Sequence, residues 1–599
     1  MRQVSRHPKS IVSYTLKLGR YLAPPGNPIS LLVEAINEST NNVLCLHLPV
    51  PFLLSLMLLF QLALLPLSAS LYGVVWLLWR YFRPLFVKSP LDNVRGPPSQ
   101  SLIQGNLNQI FERHASDFHR YVEREFGPVS ILHGLFGSKW LHIYDPRAMH
   151  SIAVKDRDAY EEVPFFREGN QVMFGPGLIA TVGDHHRKQR KMLNPVFSAS
   201  HMRNLTPVFY EVTNKMKNTI ANLLRDGPAE LDVLTWMSRT ALELVGQGGM
   251  GYSFDSLTET PEKHGELMRD LVPYTTKLVV PLMFLPFISS ITTPSFRRRV
   301  VEMLPFKSAQ HVREIIDDLH ATSRSVYNAK KSALTGGDEK TKHDVSEGKD
   351  IMSVLLKANM AASEDDRLPE DELIAQMSTL IYAGMDTTSN AMTRLLQKLA
   401  EHPEVQEKLR QEVISARDGH DIGYDELQQL PYLDAVCRET LRLYPPVPFV
   451  CRETQRDIIL PLSQAIRGVD GKVIPQIHVP KGTTVVVDLQ ASNRNPALWG
   501  KDAHEWKPER WLAPLPEGLE DANIPGVYSH LMTFFGGQRS CLGFKFSQLE
   551  MKVLLSVLLA NFKFSLTGKP LVWNNSAITY PTVGSVSLKS ELPLLVERV

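Results

Sequence analysis

The residues with the most chemistry to offer stand in one short run, Phe534-Phe535-Gly536-Gly537-Gln538-Arg539-Ser540-Cys541-Leu542-Gly543-Phe544. The apolar stretch after it, Phe546 to Phe562, reads as a helix. A cysteine at a helix N-terminus meets the positive end of the macrodipole and unpaired backbone N–H groups, and both stabilise a thiolate. Glycines on either side let the backbone approach a flat ligand closely. Arg539 is placed to meet a carboxylate on such a ligand. The plainer reading of a cysteine is a small buried hydrophobe, and it is taken for Cys45, Cys437 and Cys451.

A second run, Ala383-Gly384-Met385-Asp386-Thr387-Thr388, follows an apolar stretch from Leu380 to Met385. An acid and a hydroxyl inside an apolar helix are costly unless used or well paired. The Thr387 hydroxyl can bond the Ala383 carbonyl four residues back and open the helix locally, and Gly384 is expected to leave room there for a small molecule. The competing reading, a solvated helix face, is opposed by the apolar run. A third pair, Glu439 and Arg442, shares one helical face, an arrangement that by itself is common surface decoration.

The elements around these residues are mainly helical. Helical spacing covers 308–334, and a long buried helix starts at Pro369-Glu370-Asp371-Glu372 and runs to about Ala400. Another covers 431–443 and is stopped by Pro445-Pro446, while Thr483 to Leu489 is the clearest strand. Gly336 to Lys349, rich in charge and Gly, reads as a solvated loop. The 599 residues are 43% hydrophobic and 21% charged, an ordinary globular composition. A net charge of +2 gives no electrostatic reason to expect nucleic acid. Four cysteines without close pairing exclude a disulfide scaffold and a structural zinc site.

From Ser39 to Trp79 there is no Asp, Glu, Lys or Arg. That length exceeds the roughly 20 apolar residues a membrane span needs, so a transmembrane anchor is expected over 43–82, as one span with an interfacial piece or two short segments broken near Pro66. Arg80, Arg83 and Lys88, with Trp76, Trp79 and Tyr81, favour a cytoplasmic body behind it. The basic segment 1–42 carries Arg2, Arg6, Lys9, Lys17 and Arg20 before its first acid, Glu34; it leaves orientation open and also reads as a transit peptide. Asn37-Glu38-Ser39 is a glycosylation sequon, relevant if this end is lumenal. Pro84, Pro90 and Gly96-Pro97-Pro98 read as a stiff hinge over 83–99, ahead of a catalytic body over 100–599.

The cysteine run matches in full the Phe-x-x-Gly-x-Arg-x-Cys-x-Gly signature and is thereby similar to the cytochrome P-450 family of haem-thiolate monooxygenases. Three further motifs stand in family order across roughly 90–599. Ala383 to Thr388 resembles the helix segment whose acid and alcohol deliver protons to iron-bound dioxygen, so the resemblance gives Asp386 and Thr387 that role. Glu439-Thr440-Leu441-Arg442, with Pro508-Glu509-Arg510-Trp511, resembles the family's Glu-x-x-Arg helix and its partner, implying a buried structural network of Glu439, Arg442 and Arg510. Gly183 to Arg190 resembles the helix in which Trp-x-x-x-Arg donors bind haem propionate, here with His186 at the Trp position. Histidine can still donate there, with a charge that depends on pH. Arg190 and Arg452 resemble propionate ligands.

The resemblance implies a P-450 fold, mainly α with a smaller β portion, behind the anchor. It implies haem b with Cys541 as the axial iron ligand, contacted by Phe534, Gly537, Gly543 and Arg539. Electrons from NADPH would arrive through a cytochrome reductase, with cytochrome b5 as a further donor. One atom of dioxygen would enter an apolar substrate, and the other would leave as water. Similarity to microsomal fungal members implies an endoplasmic reticulum location, with the mitochondrial membrane as the alternative. It also implies a terpenoid, steroid, fatty acid or polycyclic aromatic substrate. Pocket walls are placed by analogy at Phe165, Phe166 and Phe174, at Leu380 to Tyr382 and at Val447 to Val450. The competing classes are a haem-thiolate isomerase or dehydratase that needs no reductase, and a non-catalytic haem sensor. Both are disfavoured by the intact Asp386-Thr387 pair.

Overall fold

The computed structural model describes residues 86–258, 264–335 and 349–599, with Val75, Leu78, Trp79 and Phe82 before them. The expected anchor, the sequon at Asn37, Cys45 and most of the loop at Gly336 to Lys349 lie outside the described residues. Among the described residues no helix is long and apolar enough to cross a membrane. The chain divides into two units between Arg80 and Tyr81, and every element that bears on the site belongs to the second.

Eight helices bear on the site: α1 (Pro164–Phe174), α2 (Gly183–Leu193), α3 (Val233–Leu244), α4 (His264–Thr276), α5 (Lys307–Thr335), α6 (Glu370–Glu401), α7 (Pro431–Leu443) and α8 (Phe544–Asn561). So do six strands: β1 (Val129–His133), β2 (Lys139–Ile143), β3 (Tyr160–Glu162), β4 (Phe449–Thr454), β5 (Thr484–Asp488) and β6 (Leu531–Gly536). The helices at 308–334, 369–400 and 431–443 thus form within two residues of their expected bounds. The C-terminal helix starts two residues before its expected start, and Phe562 already opens a strand.

The long helix α6 begins at Pro369 with Glu370, Asp371 and Glu372 in its first turn and has Lys398 in its last, each sign complementing the macrodipole. Its 32 residues span about 48 Å. Ile381, Met385, Met392 and Leu396 are buried along it. At its start Glu372 accepts from Gln189 Nε2 at 2.7 Å, which ties α2 to α6.

The largest sheet has the order β1-β2-β5-β4-β3, with β2 and β5 parallel and the other neighbours antiparallel. Val485, Val486 and Val487 are all buried, as expected for an inner strand covered on both faces. Arg452 stands opposite Val485 on one side and Glu162 on the other. Within the expected hinge, Leu91 and Val94 are buried, and a Cβ on Gly96 would meet the Ile131 carbonyl at 2.0 Å. These hinge residues are packed against the body.

Candidate active site

The cysteine loop runs from β6 through a tight 3₁₀ turn, Gly537–Arg539, to α8. Gly537 has φ 64°, and a Cβ there would meet the Ala153 carbonyl at 1.8 Å, so no other residue fits. Phe535 also takes a left-handed φ of 53°. The Cys541 N–H donates to the Phe534 carbonyl at 2.8 Å. Cys541 is a free cysteine whose surface is accessible although protein encloses it, which is how a thiol facing an internal space behaves. Burial pushes the thiol up; the Gly543 N–H and Arg190 pull it down. Burial prevails, and a bound metal cation is what holds such a thiol as thiolate. Cys437 and Cys451 are pushed up to about 12 by burial, inert core thiols as expected.

Four basic side chains converge beside this loop. Arg190 on α2 donates to the Ser540 carbonyl at 2.7 Å and to Ser540 Oγ at 2.9 Å. Arg539 donates to Glu161 Oε2 at 2.7 Å and the Thr181 carbonyl at 3.0 Å. Arg452 donates to Glu162 Oε2 at 2.9 Å and lies over the Phe535 ring, 4.7 Å from its centroid. His186, one turn before Arg190, is buried. Burial, Arg539, Arg190 and Arg452 push its pKa down to about 3. Burial and the three neighbouring guanidiniums thus disfavour its charged form. It therefore offers an uncharged ring N–H, as the indole of the commoner pattern does. Three guanidiniums against Glu161 and Glu162 leave an excess of positive charge.

On α6, the Thr387 hydroxyl donates to the Ala383 carbonyl at 2.8 Å, the bond expected from its spacing. Ala383 is exposed midway along an otherwise buried helix, and so borders an internal space. Thr388 Oγ1 donates to Ser547 Oγ on α8 at 3.1 Å, which fixes this turn to the cysteine helix. Asp386 is buried, and burial raises its pKa to about 7 against a lowering by Arg269. Gly384 does not open space for a small molecule. A Cβ there would meet Val245 Cγ2 at 2.5 Å, so the glycine serves close helix packing instead. Of the expected walls, Phe174 is buried and stacks on Tyr382 with centroids 4.6 Å apart. Phe166 is exposed, and Phe165 packs with Phe449 in a separate small core.

Behind the loop, Glu439 and Arg442 pair through two bonds of 2.8 Å. Arg442 also reaches the carbonyls of Asn493, Ala503 and Glu505. Glu439 accepts in addition from Trp511 Nε1 at 3.0 Å and the Lys507 N–H at 3.0 Å. Arg510 stands 3.5 Å from Glu439 but pairs more closely with Asp502, at 2.8 Å. Asn493 carries the network to β6, accepting from the Met532 N–H and donating to Thr533 Oγ1, both at 2.8 Å.

Residues 95–584 match the model of the Cytochrome P-450 family. The chain belongs to the cytochrome P-450 family. A cytochrome P-450 monooxygenase, number 91, of Postia placenta is 52% identical over 529 residues, covering 88% of this chain and 97% of that protein. A ganoderic acid synthetase of Ganoderma lucidum is 47% identical over 537 residues, 88% and 98% of the two chains. A cytochrome P-450 monooxygenase of Hericium erinaceus is 37% identical over 523 residues, 85% and 94%.

This cytochrome P-450 monooxygenase is an oxidoreductase whose cofactor is haem b, held in the family through a cysteine thiolate. The residues fit that group: an accessible enclosed thiol, a glycine turn that admits no side chain, and three guanidiniums that the two carboxylates Glu161 and Glu162 do not balance. Enzymes of the family take electrons from a redox partner and act on hydrophobic substrates. Glu161, Glu162, Trp511, Asp502 and Asn493 were not singled out in the sequence. Only Trp511 carries a local signal there, as the residue following Pro508-Glu509-Arg510.

Proposed function

We propose that this cytochrome P-450 inserts one atom of dioxygen into a terpenoid, steroid, fatty acid or polycyclic aromatic, with Cys541 as the iron ligand. When bound, haem supplies the redox chemistry and the activation of dioxygen. Arg190, Arg452, Arg539 and the His186 ring N–H would hold the two propionates. Phe534, Gly537 and Gly543 would line the haem beside the thiol. Asp386, poised near neutrality, gives and regains a proton at its carboxyl oxygen. Thr387 moves a proton at Oγ1, using the Ala383 carbonyl as resting acceptor. Glu439, Arg442 and Arg510 fix the loop from behind.

The observation that carries this reading is the convergence of Arg190, Arg452, Arg539 and His186 beside the accessible, enclosed thiol of Cys541. The uncharged run Ser39 to Trp79, with cations and aromatics at its end, supports an endoplasmic reticulum anchor over 43–82 with a cytoplasmic body. Electrons then come from NADPH through a membrane-bound cytochrome reductase, with cytochrome b5 as a second donor. The relative named for ganoderic acid makes compounds of that kind the first to screen. Turnover with isotopically labelled dioxygen, NADPH and reductase tests the proposal. One labelled atom in the product is the expected result. Product formed without label and without NADPH would instead mark an isomerase or dehydratase.

A further inference from the structure

Along the middle of α6, Ile381, Met385, Asp386 and Thr388 are buried, Tyr382 and Thr387 are half-buried, and Ala383 is exposed. Protein surrounds Tyr382 on every side, so its accessible surface faces an internal space, as that of Ala383 does. Phe174 on α1 is buried and lies against the Tyr382 ring, with centroids 4.6 Å and planes 24° apart. That stack fixes where the phenol stands. Among the described residues, no group bonds its hydroxyl. An enclosed tyrosine hydroxyl usually has a partner. Tyr210 shows the usual case, meeting Ser556 Oγ at 3.4 Å and accepting from the Ile422 N–H at 3.1 Å.

Burial and Asp386 both hold the Tyr382 hydroxyl in its neutral form, and among the described residues no cation opposes them. A neutral phenol donates one hydrogen bond and accepts another, which suits an alcohol or a ketone oxygen. A carboxylate brought there would be a buried charge near Asp386 with no cation to pair it, and that is costly. A bare hydrocarbon would leave the hydroxyl enclosed and unpaired, which also costs binding.

We propose that Tyr382 is a specificity-determining residue whose hydroxyl bonds an uncharged oxygen already present on the substrate. The substrate class is then a terpenoid or steroid alcohol or ketone, not a free fatty acid or an unsubstituted polycyclic aromatic. A reaction that has already placed oxygen on the hydrocarbon skeleton, by oxygenation or by capture of water, must supply it. Only hydrogen bonds are exchanged in this binding step. The proposal rests on the reading of the enzyme as a monooxygenase whose substrate lies beside Ala383 and Thr387.

The test is ligand titration of the full-length, haem-loaded protein, read as the spin-state change of the haem. The probes are two matched pairs, cholesterol with its deoxygenated analogue and farnesol with farnesene, together with palmitic acid and pyrene. At least one alcohol is expected to bind wild-type protein about 10-fold more tightly than its hydrocarbon, and more tightly than palmitic acid or pyrene. Tyr382→Phe removes one oxygen and keeps the ring that stacks on Phe174. It is expected to bring the alcohol-to-hydrocarbon ratio down to about 1. A merely structural role would shift both members of a pair together and leave the ratio in place. Three results overturn the proposal: palmitic acid or pyrene as the tightest ligand, alcohols that bind no better than their hydrocarbons, or a ratio that survives in Tyr382→Phe. The second of these would mean that water alone meets the hydroxyl. Failure of the underlying reading shows separately, as wild-type protein whose reduced carbon monoxide spectrum lacks the shifted band.

Discussion

Glu439 and Arg442 behind the cysteine loop, and Asp386 and Asn390 on α6, are all buried polar groups, yet their bonding is finished differently. Every N–H of Arg442 and both oxygens of Glu439 have protein partners at 2.6–3.1 Å. Asp386 is raised to about 7, and the Asn390 Oδ1 beside it has no protein partner. A saturated network has no easy way to change charge, so it suits a scaffold. An unsaturated one has a site for water and an acid near its midpoint, which suits proton transfer.

Breaking the saturated side should have the largest effect. Glu439→Ala leaves the Arg442 guanidinium buried and unpaired, a loss of about 3–5 kcal/mol. Haem content per chain and the unfolding midpoint should both collapse. Normal haem loading in that variant would remove the contrast.

The unsaturated side should show its effect in pH dependence. Asp386 has its folded-state pKa raised from 3.8 to about 7, so the folded state binds more protons between those values. Stability should fall as pH rises through that window and level off above it. Asp386→Asn removes the slope and should be the more stable protein near and above pH 7, by at most about 4 kcal/mol. It should be the poorer enzyme at the same time. Thermal unfolding from pH 4 to 8 reads this directly, and parallel curves for the two proteins would contradict it.

Thr387→Ala should keep haem and stability but release peroxide in place of product, several-fold more per NADPH. Equal coupling in the two proteins would dismiss the hydroxyl. Gly384→Ala should cost about 1–3 kcal/mol through its clash with Val245, and Val245→Ala in the same chain should recover most of it. Smallest of all is Glu550→Gln on α8. Glu550 is buried with both oxygens unpartnered, and burial holds its pKa far above the usual range. Burial favours its uncharged form, so the amide, of the same shape, should change stability by less than the other substitutions do, read as the unfolding midpoint; a large drop would contradict this.

The cysteine loop was legible because its residues are consecutive, and the long helix because its period, its acidic start and its apolar centre agree. The His186 position was found through its spacing to Arg190, but its lowered pKa follows from burial and from Arg539 and Arg452, hundreds of residues away. Glu161 and Glu162 meet Arg539 and Arg452 only because β3 pairs with β4. Arg269 reaches Asp386 only because α4 and α6 border one cleft. No local pattern encodes these meetings. Gly384 misled for a related reason: a glycine in a helix marks close approach, and the sequence does not say whether a ligand or Val245 does the approaching.

The carbon monoxide difference spectrum of the reduced, haem-loaded protein bears on the central claim most directly. A red-shifted Soret band, absent in Cys541→Ser, is expected for the Cys541 thiolate ligand. An unshifted band from fully loaded wild-type protein, or a shifted band that survives in Cys541→Ser, would contradict the account.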